Sequence, residues 1–232
     1  MGSLVTGSSI GSIGLPSPLL PGPLLLDPSV GSRYESASMK TKLICGCVAM
    51  LGILSIPTPA ADLPGRVALF DGKTLDGWDV IKCEAVVQDS SILVKGGNGV
   101  IQAKKKYADF VLEFEWKSLK ADKWDSGVYF RYDSIPDNKA WPDRYQVNLR
   151  QGDEANVSGL KGAKCQGLFK VSEWNTFKLT VRGTAAEMEV NGKPAWKADG
   201  LEGPKDGFIC LQAEVPGGGQ CLFRNVYITE LK

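Results

Sequence analysis

Three short segments between residues 110 and 150 alternate apolar with polar or charged side chains at a period of two: Phe110-Val-Leu-Glu-Phe-Glu-Trp116, Gly127-Val-Tyr-Phe-Arg-Tyr132 and Tyr145-Gln-Val-Asn-Leu-Arg150. A helix buries a stripe repeating every three or four residues, whereas a strand buries every second one, so these segments read as strands with one face in a core. The other face is then expected to carry Glu113, Glu115, Tyr129, Arg131, Gln146, Asn148 and Arg150. That density of hydrogen-bonding groups exceeds what solubility needs. It suits a polar, uncharged or weakly charged ligand, and a sugar first of all.

The remainder of the chain from residue 62 onward continues the pattern. Strands are predicted at Val67–Phe70, Ala85–Gln88, Ile92–Val94, Gly99–Gln102, Thr176–Val181, Glu187–Val190, Gly207–Gln212 and Cys221–Ile228. Val190-Asn191-Gly192 carries the Asn-Gly signal of a tight hairpin. No stretch of a dozen residues has a helical period. Roughly ten to fourteen short antiparallel strands over about 170 residues point to an all-β fold, a two-sheet sandwich or jelly roll, rather than parallel βαβ units.

Composition removes several functions. The formal net charge is +1 and no histidine is present, so nothing in the charge balance points to nucleic acid or an anionic membrane surface. Ser-His-Asp and Cys-His catalysis and histidine-ligated zinc are excluded. Acid-base work falls to Asp, Glu, Lys, Tyr or a bound ion. Asp125, Asp133, Asp137 and Asp143 crowd one loop-rich stretch and offer the hard oxygen ligands of a calcium ion held between loops, but their spacing matches no calcium loop, so solvated acids and no cofactor are the expectation, with calcium the alternative. The insertion from Asp133 to Asp143 is expected to be the longest between strands and a lid or specificity loop.

The N-terminal quarter has a different character. Residues 1–38 are rich in Gly, Ser, Pro and Leu without a sustained period, which predicts a disordered extension or a start placed too early. Residues 39–61 then follow the plan of an export signal: Lys40 and Lys42, an apolar run from Leu43 to Ile56, and the small-residue zone Thr58-Pro-Ala-Ala61. The apolar run is too short, and too soon followed by Pro57 and Pro59, for a stable membrane span. Residues 62–232 are therefore expected to form one exported domain, periplasmic or extracellular. Its cysteines, Cys83, Cys165, Cys210 and Cys221, are even in number; either buried thiols or disulfides fit, with Cys210 to Cys221 the natural cross-strand pair.

Seven motifs occur in a recognisable order: Leu69-Phe-Asp-Gly-Lys-Thr-Leu-Asp-Gly-Trp78, Tyr107-Ala-Asp-Phe110, Asp125-Ser-Gly-Val-Tyr-Phe-Arg131, Glu173-Trp-Asn-Thr176, Val190-Asn-Gly192, Gly207-Phe-Ile-Cys-Leu-Gln212 and Phe223-Arg-Asn-Val226. From Leu69 to Leu231 the chain resembles the 3-keto-disaccharide hydrolase domain family. The resemblance implies a concanavalin A-like jelly roll from an exported protein of glycan-consuming bacteria. It also implies a reaction. A ketone at C3 of a glycosyl unit acidifies the hydrogen at C2; a base removes it, a cation or hydrogen-bond cluster holds the enolate oxygen, and the C1 substituent leaves by elimination before water adds. This differs from the two-carboxylate displacement of ordinary glycosidases.

On the polar face, Glu115 or Glu113 is the expected base and Arg131, with Arg224, the expected electrophilic clamp; Gln146, Asn148 and Gln212 are expected to bind sugar hydroxyls beside Tyr129. Trp124 and Trp141, placed in loops, are candidates to stack on a pyranose, whereas Trp78, Trp116, Trp174 and Trp196 read as core. Arg131 equally suits a structural ion pair with Asp125. Tyr145-Gln-Val-Asn148 departs from the family's usual Tyr-Glu-x-Gln by exchanging a carboxylate for an amide, and Gln212-Ala-Glu214 replaces a run resembling Gln-Asp-His, with Glu214 placed to compensate. A second class therefore stands beside the hydrolase: a non-catalytic, lectin-like carbohydrate-binding module. An inward carboxylate separates the two.

Overall fold

The computed structural model describes residues 64–232. The extension over 1–38 and the signal over 39–61 lie outside the described residues. Among those described, eleven strands and one short helical turn occur in chain order: β1 (Arg66–Ala68), β2 (Trp78–Gln88), β3 (Ser91–Ala103), β4 (Phe110–Ser118), β5 (Gly127–Tyr132), β6 (Gln146–Asn148), β7 (Asn175–Arg182), β8 (Ala185–Val190), β9 (Lys193–Asp199), β10 (Phe208–Glu214), α1 (Val215–Gly218) and β11 (Cys221–Glu230). Every strand pairing is antiparallel, and the fold is the expected all-β jelly roll. No helix among the described residues is long and apolar enough to cross a membrane.

Two layers arise because β3 changes neighbours along its length. Ile92 to Val94 pair with β11, and Asn98 to Gln102 pair with β10. The strand order β6-β5-β10-β3-β11-β4-β7-β8-β9 therefore folds over on itself at β3, with β2 along the other edge of that strand. Between the layers lies one apolar core. It takes Leu112, Phe114, Trp116, Leu179 and Phe223 from the β11-β4-β7 side, and Val128, Phe130, Val147, Ile209 and Leu211 from the β10-β5-β6 side. The period-two pattern of β4 is realised residue by residue. Phe110, Leu112, Phe114 and Trp116 point into the core, while Glu113, Glu115 and Lys117 point away from it.

Departures from the sequence expectation have local causes. The predicted strands at Ile92–Val94 and Gly99–Gln102 are one strand, because the intervening glycines admit a close neighbour rather than a turn. A Cβ at Gly99 would lie 2.0 Å from the Ile81 carbonyl oxygen, where β2 bulges through Lys82 at φ 56°. Strand β9 has no period-two signature, since its burial follows an edge position that tolerates Pro194 and leaves Trp196 as its one fully buried side chain. The longest segment without strand runs from 149 to 174 rather than from 133 to 143.

All four described cysteines are unpaired. Cys210 and Cys221 do not form the expected cross-strand bridge, because they pair opposite Gln102 and Val94, about 26 Å apart along β3, and their side chains lie in different apolar clusters. Burial pushes the Cys210 thiol up to about 12 and that of Cys221 up to about 11, as befits inert core thiols.

Trp124 is a second correction. Its ring is buried in the main core, 2% exposed, with Phe169 at 5.8 Å, so no sugar can stack on it. Replacing it by alanine removes a filled volume, and Trp124→Ala is expected to lower stability by about 3–5 kcal/mol in chemical denaturation. Trp78, Trp116 and Trp196 are core as expected, whereas Trp174 is only half-buried.

Candidate active site

The residues expected on one polar face occupy two. Glu113 and Glu115 leave the core on the outer side of β4, whereas Tyr129, Gln146, Asn148 and Gln212 leave it on the outer side of β5, β6 and β10. The core lies between them, so no small ligand can touch both sets. Glu113 accepts a hydrogen bond from Arg66 Nε at 2.7 Å. Glu115 accepts from Arg224 Nε and Asn225 Nδ2, each at 2.7 Å.

Arg131 belongs to neither face. It sits at φ 55° where β5 and β10 lose register, so that Phe130 faces the core and Tyr132, one step past the bulge, turns to the far face. Its guanidinium, buried at 7% exposure, donates to the carbonyl oxygens of Ala108 (3.1 Å) and Gly183 (2.9 Å) and to the Asp109 carboxylate (2.9 Å). The expected ion pair with Asp125 is replaced by one with Asp109. Each of its three nitrogens donates within the fold, so Arg131→Ala is expected to cost roughly 3 kcal/mol of stability while leaving turnover per folded molecule unchanged; denaturation and assay on one preparation check both.

The far face of β10, β5 and β6 gathers most of the polar chemistry. Inward Ile209, Leu211 and Ala213 set the phase of β10, which leaves Cys210, Gln212 and Glu214 on the opposite side. Gln146 Nε2 donates to Gln212 Oε1 at 2.6 Å, and Gln212 Nε2 donates to Glu214 Oε2 at 2.8 Å. A chain of amides thus runs from β6 to the one carboxylate on β10. Asn148 lies beside Gln146 in phase on β6, and its Oδ1 accepts from the Arg150 backbone N–H.

The Asp125-Ser126-Gly127 motif explains how this chain is held. Ser126 Oγ donates to the Gln212 carbonyl oxygen at 2.9 Å and fixes β10 against β5. Gly127 leaves room for the amides: a Cβ there would lie 2.3 Å from Gln146 Nε2 and 2.8 Å from Gln212 Oε1. Asp125 stands at the entrance, where Gly218 of α1 approaches so closely that a Cβ would lie 2.2 Å from the Asp125 carbonyl oxygen.

Electrostatics single out the same place. Burial pushes the Glu214 carboxyl above its ordinary range; the negative charge of Asp125 adds to this and Arg150 opposes it. Burial likewise raises Asp125, against the pull of Arg150. Tyr129 is raised mainly by burial, with Cys210, Glu214 and Asp125 contributing. A half-buried carboxylate of raised basicity, beside a second acid and a cation, is what a general base requires.

Towards the other end of the face, Tyr129, Tyr132, Cys210 and Val100 are covered by Ile135, Trp141, Phe208 and Ile81. Trp141 is half-buried there and belongs to the wall of the site. The loop after β5 is tied across by Lys82, whose ammonium donates to the carbonyl oxygens of Asp137 (3.4 Å) and Lys139 (3.1 Å). Asp133 pairs with Lys106, and Asp143 with Lys139. Asp125 lies at the opposite end of β5, roughly 20 Å of strand away, so the four acids do not converge.

Sequence reasoning placed Gln146, Asn148, Tyr129 and Gln212 together with Glu214 as the compensating carboxylate, and missed that Asp125 and Gly127 complete the group. The signal was the Asp-Ser-Gly run, a small-residue motif at the start of a strand that otherwise carries large side chains.

An antiparallel jelly roll with an amide-lined face ending in a perturbed carboxylate has the architecture of a carbohydrate-directed protein. Residues 65–229 match the family model described as the 3-keto-alpha-glucoside-1,2-lyase-like domain, and the chain belongs to that family. A 3-keto-disaccharide hydrolase of Bacteroides thetaiotaomicron is 27% identical, over 53% of this chain and 55% of the relative; the chain spans about half the length of that curated relative. Among solved structures, a Parabacteroides distasonis protein provisionally named a glycosyl hydrolase superposes with a TM-score of 0.60 at 19% identity, covering 73% of this chain and 95% of its own. The carbohydrate-binding module CBM66 of Bacillus subtilis gives 0.52 at 16% identity, covering 66% and 96%. These likenesses show the shared fold.

Proposed function

We propose that this protein cleaves 3-keto-glycosides by abstraction of the C2 proton and elimination, at the far face of β10, β5 and β6, with Glu214 as the general base. The observation that carries this reading is the chain Gln146–Gln212–Glu214 beside Asp125 and Arg150. In it, Gln212 orients the carboxylate, and partial burial, aided by the neighbouring Asp125 charge, raises its basicity. Arg150, held by Asp153, supplies a positive charge that acts on Glu214 and serves the developing enolate oxygen at C3. Gln146, Asn148 and the Trp141 wall bind hydroxyls and the ring.

The step balances without an external oxidant. Glu214 takes the proton from C2, the electron pair forms the enolate and then the C1–C2 double bond, and the C1–O bond breaks with the pair leaving on oxygen, which takes the proton from Glu214 and departs as the alcohol. Water adds to C1 of the enone and a proton returns to C2. Family membership supports the substrate class, and the basic and apolar run from Lys40 to Ile56 supports export. The test mixes purified protein with a 3-keto-glucoside and follows aglycone release, with the unoxidised glucoside as control. Release from the keto sugar alone is expected. Saturable binding of the unoxidised sugar without release from either would assign the face to a lectin-like module instead, a role that the amides at Gln146 and Asn148 also suit.

A further inference from the structure

The outer face of β4, β7 and β8 is not used by the reaction above, yet it carries a groove of about 490 Å3, within the size range of ligand sites. Its walls carry Arg66 and Lys178 against Glu113, Glu115 and Glu189, and Arg224, just outside the lining, balances the third carboxylate. Arg66 pairs with Glu113 at 2.7 Å, Lys178 with Glu189 at 3.0 Å, and Glu115 with Arg224 at 2.7 Å. Asn225, held at φ 50° in the bulge of β11, donates its amide to Glu115. Thr176 and the hairpin residue Gly192, which has no side chain, leave one side of the groove open.

Three properties narrow the occupant. Each charge already has its partner, so an ionic ligand would have to displace one partner and leave the other uncompensated, at a cost that a neutral ligand avoids. The nearby aromatic faces are covered: the Arg66 guanidinium lies 3.5 Å from the Tyr227 ring centroid, and that of Arg224 lies 3.9 Å from that of Trp174. An apolar peptide anchor therefore finds no pocket. Finally, β4 and β7 are interior strands with both edges paired, so no peptide can add as a further strand. What remains accessible is a neutral array of oriented donors and acceptors, which hydroxyl groups can bridge.

We infer that this groove is a second carbohydrate site, for an uncharged oligosaccharide, on the opposite side of the sandwich from the Glu214 site. It would hold the protein on a glycan surface while leaving the reactive face free. The inference does not depend on the chemistry proposed for Glu214.

The experiment records backbone amide NMR shifts of the protein during titration with maltotetraose, cellotetraose and laminaritetraose, and with an oligogalacturonate of the same length as the anionic control. At least one neutral sugar is expected to shift Thr176, Lys178, Gly192 and Asn225 at millimolar concentration, in wild type and in Glu214→Gln alike. Thr176→Trp, which fills the groove from an exposed position, is expected to weaken binding about tenfold or more. Asn225→Gly, which preserves the positive φ while removing the amide, is expected to weaken it as well and serves should the tryptophan variant not fold. Absence of shifts at these residues with all three neutral sugars overturns the inference. So does a response confined to the galacturonate, one lost in Glu214→Gln, or one that both groove variants leave unchanged.

Discussion

Glu214→Gln lowers kcat on a 3-keto-glucoside by about 10²–10⁴-fold, the range expected for loss of a positioned general base, and leaves the fold intact. The glutamine keeps an acceptor for Gln212 Nε2 and loses only basicity, so KM changes little. The same variant is more stable than wild type at neutral pH. Glu214 is raised in the folded protein, chiefly by burial, so the folded state holds its proton more tightly than the unfolded chain does. Stability therefore falls as pH rises from the unfolded carboxyl value through the folded one, and the penalty is complete above it. Removing the ionisable group removes the penalty. Wild-type turnover should correspondingly fall on the acid side with a midpoint above the ordinary glutamate value. A thermal melt at neutral pH and a pH profile of kcat check both consequences, and a less stable Glu214→Gln would speak against a strained base.

Gly127→Ala should be nearly as damaging by a different route. The added Cβ would lie 2.3 Å from Gln146 Nε2 and 2.8 Å from Gln212 Oε1, distances no packed side chain tolerates, so both amides must move. Gln212 is 2% exposed and its amide links Gln146 to Glu214. Displacing it leaves buried amide groups without partners, at roughly 1–3 kcal/mol each, and lets the base turn away from its bound position. The expected result is a folded protein with a lowered melting temperature and both kcat and sugar affinity reduced. Wild-type kinetics in Gly127→Ala would mean that the Gln146–Gln212 pair plays no part in the site.

The contrast between β4 and β5 shows what the sequence could and could not reveal. Each strand buries every second side chain, and that much is local and legible: Phe114 and Trp116 in, Glu113 and Glu115 out; Val128 and Phe130 in, Tyr129 out. Only a short connection joins them, so the polar faces looked continuous. The connection crosses from one layer to the other, burying Trp124 as it does so, and sets the two polar faces back to back. No period in a sequence records a change of layer. Arg131 was misplaced for a related reason, because a single residue at positive φ shifts the alternation by one and sends its side chain to Asp109. Motif order, by contrast, conveyed the family and the jelly roll directly, since it reports the whole arrangement of turns and strands at once.

The glutamine and asparagine of β6 also acquire a physical meaning. With amides at Gln146 and Asn148, the carboxylate within this hydrogen-bonded chain is Glu214, reached through Gln212.

Turnover of a 3-keto-glucoside in D2O, with the position of deuterium read by NMR at early times against an enzyme-free control, tests this account most directly. The wild-type protein should release aglycone and yield 3-keto-glucose carrying deuterium at C2 beyond the control, and Glu214→Gln should do neither. Product that retains its C2 hydrogen, or undiminished release by Glu214→Gln, would contradict proton abstraction by Glu214.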